Sequence, residues 1–287
     1  MKDSAPDESR QTRRRNSIIP TTGWKERLTF DNEGRFFVLS DEAVRGVPVR
    51  LLGKRGVGRL SGLAEHYFRV ARDEQPDVIR NLDEAWFAPE SVHRDEYLAA
   101  VAAGGNYAII NRLVIAEEVS VAFRDVFNAE LDLVYEISHN LVQREWSDEF
   151  GGVNVHRKGA TRAFPAGHRA LDGTLWCETG HPVLIPGSNR DWSYILRPTG
   201  SAKSAYTVNH GSGRRMSRTA ARKLLDQEVV NADYRRAGIV VNLDGRVPID
   251  ESGPAYKSSA EVIQAITDAG LAEVEHRLWP LASLKAM

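Results

Sequence analysis

The chain has 287 residues, 42% of them hydrophobic and 27% charged, enough to bury a sizeable core as one large domain or two small ones. A formal net charge of −1 provides no global field for a polyanion, so any surface for nucleic acid must be a local basic patch. The single cysteine, Cys177, excludes an internal disulfide framework and fits a reducing cytoplasm; the N-terminus lacks a signal-peptide core, and no apolar run approaches the roughly 20 residues of a membrane span.

Residues 1–24 read as a disordered polar tail in which Arg13, Arg14 and Arg15 form a solvated arm rather than an RNA-binding one. From Leu28 to Leu52 the pattern is strand-like, with apolar runs at 35–39 and 47–52 separated by turn residues. The turn Gly53–Gly58 then opens a helical stretch through His66 and Val70. Between Asp95 and Phe127, apolar residues recur at helical spacing: Leu98, Val101, Ala108, Val119, Phe123 and Val126. Asn111 and Arg112 interrupt that helix, either as a solvent face or local salt bridge, or as polar groups aimed into a site.

Leu131–Ile137 reads as a strand feeding Ser138, His139 and Asn140. An acidic stretch, 145–149, is followed by a basic one, 154–161, in which His156, Arg157 and Lys158 either hold RNA phosphates or form a solvated loop. Pro182–Ser188 reads as a buried strand ending in a turn, and 192–196 and 205–208 as two further strands, the second delivering His210 to a strand end. A helix is expected over 217–226 with Ser217 as N-cap and its N–H groups available to a phosphate, another over 261–269, and a last strand near Leu278.

The densest chemistry lies in 208–218, where His210 stands before Gly211, Ser212 and Gly213. Arg214, Arg215, Arg218, Arg222 and Lys223 follow with no acid among them. A nucleophilic imidazole, a turn that lets backbone N–H groups approach a ligand, and fixed cations together suit phosphoryl or nucleotidyl transfer. The eight histidines contain no pair three to five residues apart and none neighbours Cys177, so a zinc module is not expected. His66, His93 and His276 read as surface or packing residues, while His139, beside Asn140 at a strand end, is a functional candidate. The glycine turns at Gly187 and Gly211, with Ser188 and Ser193, begin to suggest a nucleotide cradle.

One ordered series carries a resemblance: His139-Asn140, 156–161, Pro186-Gly187-Ser188, Ser193-Tyr194, 210–214, 216–218 and Ala255-Tyr256-Lys257. It resembles the C-terminal part of the RtcB-type RNA ligases, from about Asp95 to the C-terminus. The resemblance implies an α+β fold: an RtcB-like mixed α/β single domain, N-terminally shortened, spanning 25–287. It implies a cytoplasmic, GTP-dependent ligase of tRNA splicing and RNA repair. Such an enzyme joins an RNA 3′-phosphate, or 2′,3′-cyclic phosphate, to a 5′-hydroxyl through a histidine–guanylate, with Mn2+ in support. His210 would be the guanylylated nucleophile, and Gly211, Ser212 and Gly213 the cradle around the nucleotide. Pro186, Gly187, Ser188, Asn189 and Ser193 would line the GTP site. His139 would be a manganese ligand with Asn140 at the nucleotide, Lys285 would meet guanine, and Tyr256 would pack near the base.

The upstream family segments that supply most metal ligands have no full counterpart here. Leu51 stands where a ligating histidine belongs, and Cys177 lies outside the ligand context. Two further readings therefore stand beside a shortened ligase served by a separate N-terminal subunit. One is a catalytically impaired relative that binds RNA or guanine nucleotides, and the other is a truncated product that folds poorly.

Overall fold

A computed structural model describes the backbone of residues 28–30 and 36–38, and residues 63–242 and 244–284. The polar tail, the turn at 53–58, Leu51 and Lys285 lie outside the described residues. Helices and strands mix as an α+β fold, and the chain divides into two compact units, Met1–Arg144 and Glu145–Met287.

In the first unit, strands β1 (Leu28–Phe30) and β2 (Phe36–Val38) pair antiparallel, with Leu28 opposite Val38. Helix α1 (Leu63–Glu74) sends Leu63 and Tyr67 against Ala100 and Ala103 of α2 (Val92–Phe127). Ser91 starts α2: its Oγ accepts from the His93 N–H at 3.2 Å and donates to the Glu74 carboxylate, tying the two helix ends together. Asn128 ends the helix at φ 49°, its N–H donating to the Arg124 carbonyl at 2.9 Å. The expected helix over 95–127 is therefore present and starts three residues earlier. Contrary to the expectation that no apolar run approaches a membrane span, α2 is long and apolar enough to cross a bilayer by length and composition. The core helix of a soluble protein passes the same test, and α2 buries Ala100, Ala103, Ile109, Ile110 and Leu113.

Two side chains of α2 settle questions that sequence left open. Asn111 is exposed, whereas the Arg112 Nε donates to Glu136 Oε1 at 2.7 Å and its Nη2 to Ser138 Oγ at 2.7 Å. The polar interruption is thus a solvent face beside a local salt bridge. Gly105 lets the helix meet Leu141 closely, since a Cβ there would lie 2.3 Å from Leu141 Cδ2. The strand expected over 131–137 is not formed. Leu131, Leu133 and Val134 are exposed, and Glu136 is committed to Arg112; extended structure starts only at Asn140.

The boundary between the units falls within β3 (Asn140–Ser147), which pairs with β4 (Gly151–Lys158). In the second unit β5 (Ala160–Arg162) pairs antiparallel with β8 (Thr207–Asn209), Thr161 facing Val208. β6 (Val183–Ile185), β7 (Ser193–Pro198) and β10 (Ala272–Leu278) form an antiparallel sheet in the order β10-β7-β6. Ile263 and Ile266 of α5 (Ser259–Asp268) join Val183, Ile185, Leu196 and Val208 in one core. A second core gathers Val230 and Tyr234 of α4 (Gln227–Arg236) with Val241 of β9 (Val240–Val241), which pairs parallel with β11 (Ala282–Ser283).

Two boundaries differ from expectation for backbone reasons. The strand expected over 205–208 is Thr207–Asn209, because Ala205 and Tyr206 both sit at φ 49°, outside the β region. The single helix expected over 217–226 is broken: α3 (Arg218–Leu224) stops where Leu225 becomes extended, and Asp226 caps α4 by accepting from the Val229 N–H at 3.0 Å.

Candidate active site

The β5–β8 pair positions the histidine singled out by sequence. Beyond the Ala160–Asn209 pair, antiparallel register sets residue 159 opposite residue 210. The Gly159 carbonyl accepts from the His210 backbone N–H at 3.2 Å and lies 2.6 Å from His210 Nδ1. A carbonyl only accepts, so Nδ1 carries a proton and the neutral ring holds its lone pair on Nε2. Gly159 has φ +68°, and a Cβ there would stand 3.2 Å from both Cε1 and Nδ1 of the imidazole.

The turn after His210 rests on the turn after β6. Asn209 Nδ2 donates to the Gly211 carbonyl at 2.8 Å, and the Ser212 N–H donates to the Pro186 carbonyl at 3.2 Å. A Cβ on Gly211 would lie 3.1 Å from that same carbonyl. The Pro186 carbonyl thus meets both Gly211 and Ser212, and Gly187, Ser188, Asn189 and Ser193 follow it in the same loop.

The polar side chains of the 186–193 loop shape the loop itself. Ser193 Oγ accepts from the Gly187 N–H at 3.2 Å, and Ser188 Oγ accepts from the Arg190 N–H at 3.2 Å. Asn189 accepts from the Tyr234 hydroxyl and donates to Ser283 Oγ at 3.3 Å. A Cβ on Gly187 would sit 2.1 Å from the Trp192 carbonyl oxygen, so only glycine lets the loop close this tightly. Asp191, which sequence reasoning passed over, accepts from the Trp192 and Ser259 N–H groups, each at 2.8 Å. It anchors the loop to the start of α5, where Ser258 supplies no side-chain cap.

Among the described residues Ser212 Oγ is buried with no hydrogen-bond partner, and Gly213, at φ +72°, has open space where a Cβ would stand. A buried hydroxyl left in this way costs free energy unless a ligand engages it, so the turn suits a polar guest such as a nucleotide.

Downstream, the basic run is not free of acids. Arg218 pairs with Glu251 at 2.7 Å, Arg222 with Asp250 at 2.8 Å, and Arg214 lies 3.6 Å from Glu251. Arg214 also donates to the Tyr256 hydroxyl at 3.1 Å, its guanidinium 4.9 Å from the ring centroid. Burial, and then hydrogen bonding of its hydroxyl to Glu251, push the Tyr256 phenol above its ordinary pKa. The expected base-packing role of Tyr256 therefore meets a ring already covered by Arg214. Ser217 caps α3 by accepting from the Ala220 N–H at 3.1 Å; with only seven residues, this helix offers little dipole to a phosphate.

Arg157 is buried rather than poised for RNA. Its Nη2 donates to Glu145 Oε2 at 2.9 Å and to the Ala205 carbonyl at 3.0 Å, and its Nε to Thr207 Oγ1 at 2.9 Å. His156 and Lys158, on alternate positions of β4, are exposed. His181, also buried, accepts from the Phe164 N–H at Nε2, 3.0 Å away; burial lowers its pKa to about 4, so it stays neutral.

His139 is half-buried in the bend before β3, and Asn140 is exposed at its first residue; both lie in the first unit. Among the described residues no group of three His, Cys, Asp or Glu side chains is placed to hold a metal ion.

A family model described as "tRNA-splicing ligase RtcB" matches residues 50–286. The RNA-splicing ligase RtcB of Mycobacterium tuberculosis is 39% identical over 193 residues, 66% of this chain and 44% of the relative. The tRNA-splicing ligases RtcB of Pyrococcus horikoshii and Thermococcus kodakarensis are each 34% identical, over 265 and 249 residues. They cover 88% and 81% of this chain but only 29% and 51% of their own length. The chain spans about half, or less, of these relatives.

Proposed function

The chain belongs to the RtcB family of tRNA-splicing ligases, and from that premise we propose that it is a GTP-dependent RNA ligase. It joins an RNA 3′-phosphate, or 2′,3′-cyclic phosphate, to a 5′-hydroxyl in tRNA splicing or RNA repair. The observation that carries this reading is His210, held with its neutral-ring lone pair on Nε2 beside the Gly211–Gly213 turn. GTP serves as substrate. Nε2 attacks the α-phosphorus, a P–N bond forms, the P–O bond to the β-phosphate breaks, and pyrophosphate leaves with the electron pair.

The GTP fit rests on the orphaned Ser212 hydroxyl and on the open face of Gly213, with Pro186, Gly187, Ser188, Asn189 and Ser193 shaping the adjoining wall. Asn140 and Lys285 belong to the proposed nucleotide site on the resemblance alone. Manganese fits less well: His139 has no ligand cluster around it among the described residues. A separate N-terminal subunit that supplies further ligands is part of this proposal on the resemblance alone. The single cysteine suits the cytoplasm as the place of action.

The test is incubation with radiolabelled GTP and Mn2+, alone and with candidate partner polypeptides. A covalent guanylate abolished by His210→Ala supports the ligase; no adduct under any condition overturns it. That no metal-ligand cluster is found among the described residues favours a second reading, a non-catalytic relative that binds RNA or guanine nucleotide. RNA binding without guanylylation supports that alternative.

A further inference from the structure

We propose that Gly159 is the positioning residue for His210, selecting the nitrogen that attacks. The inference deepens the ligase proposal and rests on His210 being its nucleophile. Imidazole has two nitrogens of similar intrinsic basicity, and a nucleophilic histidine must present the correct one. In this chain a single carbonyl receives both the His210 backbone N–H, at 3.2 Å, and its Nδ1, at 2.6 Å. The backbone bond fixes where the residue sits, and the side-chain bond fixes where the ring proton sits. The lone pair of the neutral ring is consequently on Nε2. When Nε2 bonds to phosphorus, the Nδ1 proton stays against the Gly159 oxygen, and the positive charge that develops on the ring faces a carbonyl dipole.

Residue 159 must be glycine for two independent reasons. Its φ of +68° is a conformation that side chains disfavour, and a Cβ would stand 3.2 Å from the ring atoms Cε1 and Nδ1. Either effect shifts the carbonyl or the imidazole that it orients. The register of β5 and β8 places this carbonyl opposite residue 210, so the device is part of the strand pair. Sequence order alone hides it, because Gly159 stands 51 residues before the histidine in the middle of a basic stretch.

The experiment is nitrogen-15 NMR of the full chain labelled at histidine, at a pH well above the ordinary imidazole pKa. The His210 signals are assigned by their loss in His210→Ala. The expected result is a protonated Nδ1 and an unprotonated Nε2; the reverse tautomer overturns the inference. In Gly159→Ala, shown to be folded by a cooperative melt, the Nε2–H tautomer appears and guanylylation slows about 100-fold. A folded Gly159→Ala with an unchanged tautomer and unchanged rate also overturns it. If the variant does not fold, the wild-type spectrum decides. Where an adduct forms, phosphorus–nitrogen coupling should place it on Nε2, and an Nδ1 linkage refutes the assignment. Absence of any adduct counts against the ligase reading, while the tautomer, read without nucleotide, is still decided.

Discussion

Arg157 and Glu145 form a buried ion pair, with side chains 3% and 17% exposed, and Arg157 fills its remaining donors with Thr207 Oγ1 and the Ala205 carbonyl. Removing one partner leaves the other charge buried and unpaired, a loss of about 3–5 kcal/mol. Glu145→Ala should lower the free energy of unfolding by that order in a urea titration. RNA affinity, measured where the variant is folded, should not change, because Arg157 is not available to phosphates. A variant that loses RNA binding but not stability would return Arg157 to the nucleic-acid surface.

His181 gives the fold a defined acid sensitivity. Burial lowers its pKa from the ordinary 6.5 to about 4. Because the folded value lies below the unfolded one, the stability is complete above about pH 6.5 and is lost as pH falls towards 4. At about 1.4 kcal/mol per pH unit across that window, the contribution is on the order of 3–4 kcal/mol. Denaturant unfolding at neutral pH and near pH 4 should show this fall in the wild type and a shallower one in His181→Gln. Equal slopes for the two proteins would refute the assignment.

The legible parts and the hidden parts of this site separate along physical lines. The turns at 186–188 and 211–213 could be picked out from residue order, since a glycine turn after an apolar strand is a local pattern, and the structure joins them through the Pro186 carbonyl. Arg157 could not, because β4 alternates and the basic triplet does not say which of its faces is covered. The partners of Arg218 and Arg222 are Asp250 and Glu251, about thirty residues downstream, so the run looked free of acids. The apolar residues of 131–137 suggested a strand, but a strand requires a neighbour for its hydrogen bonds, and among the described residues this segment pairs with none and leaves Leu131, Leu133 and Val134 exposed.

Asp191 joins the loop to α5. Its two carboxylate oxygens accept from the Trp192 and Ser259 N–H groups, so it acts as a remote cap for a helix whose own N-cap, Ser258, makes no side-chain bond. Losing a cap costs about 1–2 kcal/mol. Asp191→Ala should therefore lower the melting temperature modestly and weaken GTP binding, because the loop that holds Gly187 and Ser188 loses its anchor. Asp191→Asn, which keeps one acceptor oxygen, should fall between the two; equal GTP affinity in all three proteins would separate the loop from the nucleotide.

The acids opposite the basic run make the last prediction, and its size follows from exposure. Arg218 and Arg222 have side chains 67% and 63% exposed, so their pairs with Glu251 and Asp250 are solvated and each contributes roughly 0–1 kcal/mol. A phosphate can displace such a partner at little cost, but an intact acid still repels it. Asp250→Asn with Glu251→Gln should therefore strengthen RNA binding by about 3-fold per pair, since about 1.4 kcal/mol is a factor of ten. Each cation transferred to a phosphate should also steepen the salt dependence by about one in log–log slope. Filter binding of a single-stranded RNA across a salt series reads both quantities. If neither changes, the RNA path avoids this face of α3, and Arg214 holds Tyr256 in place without meeting the substrate.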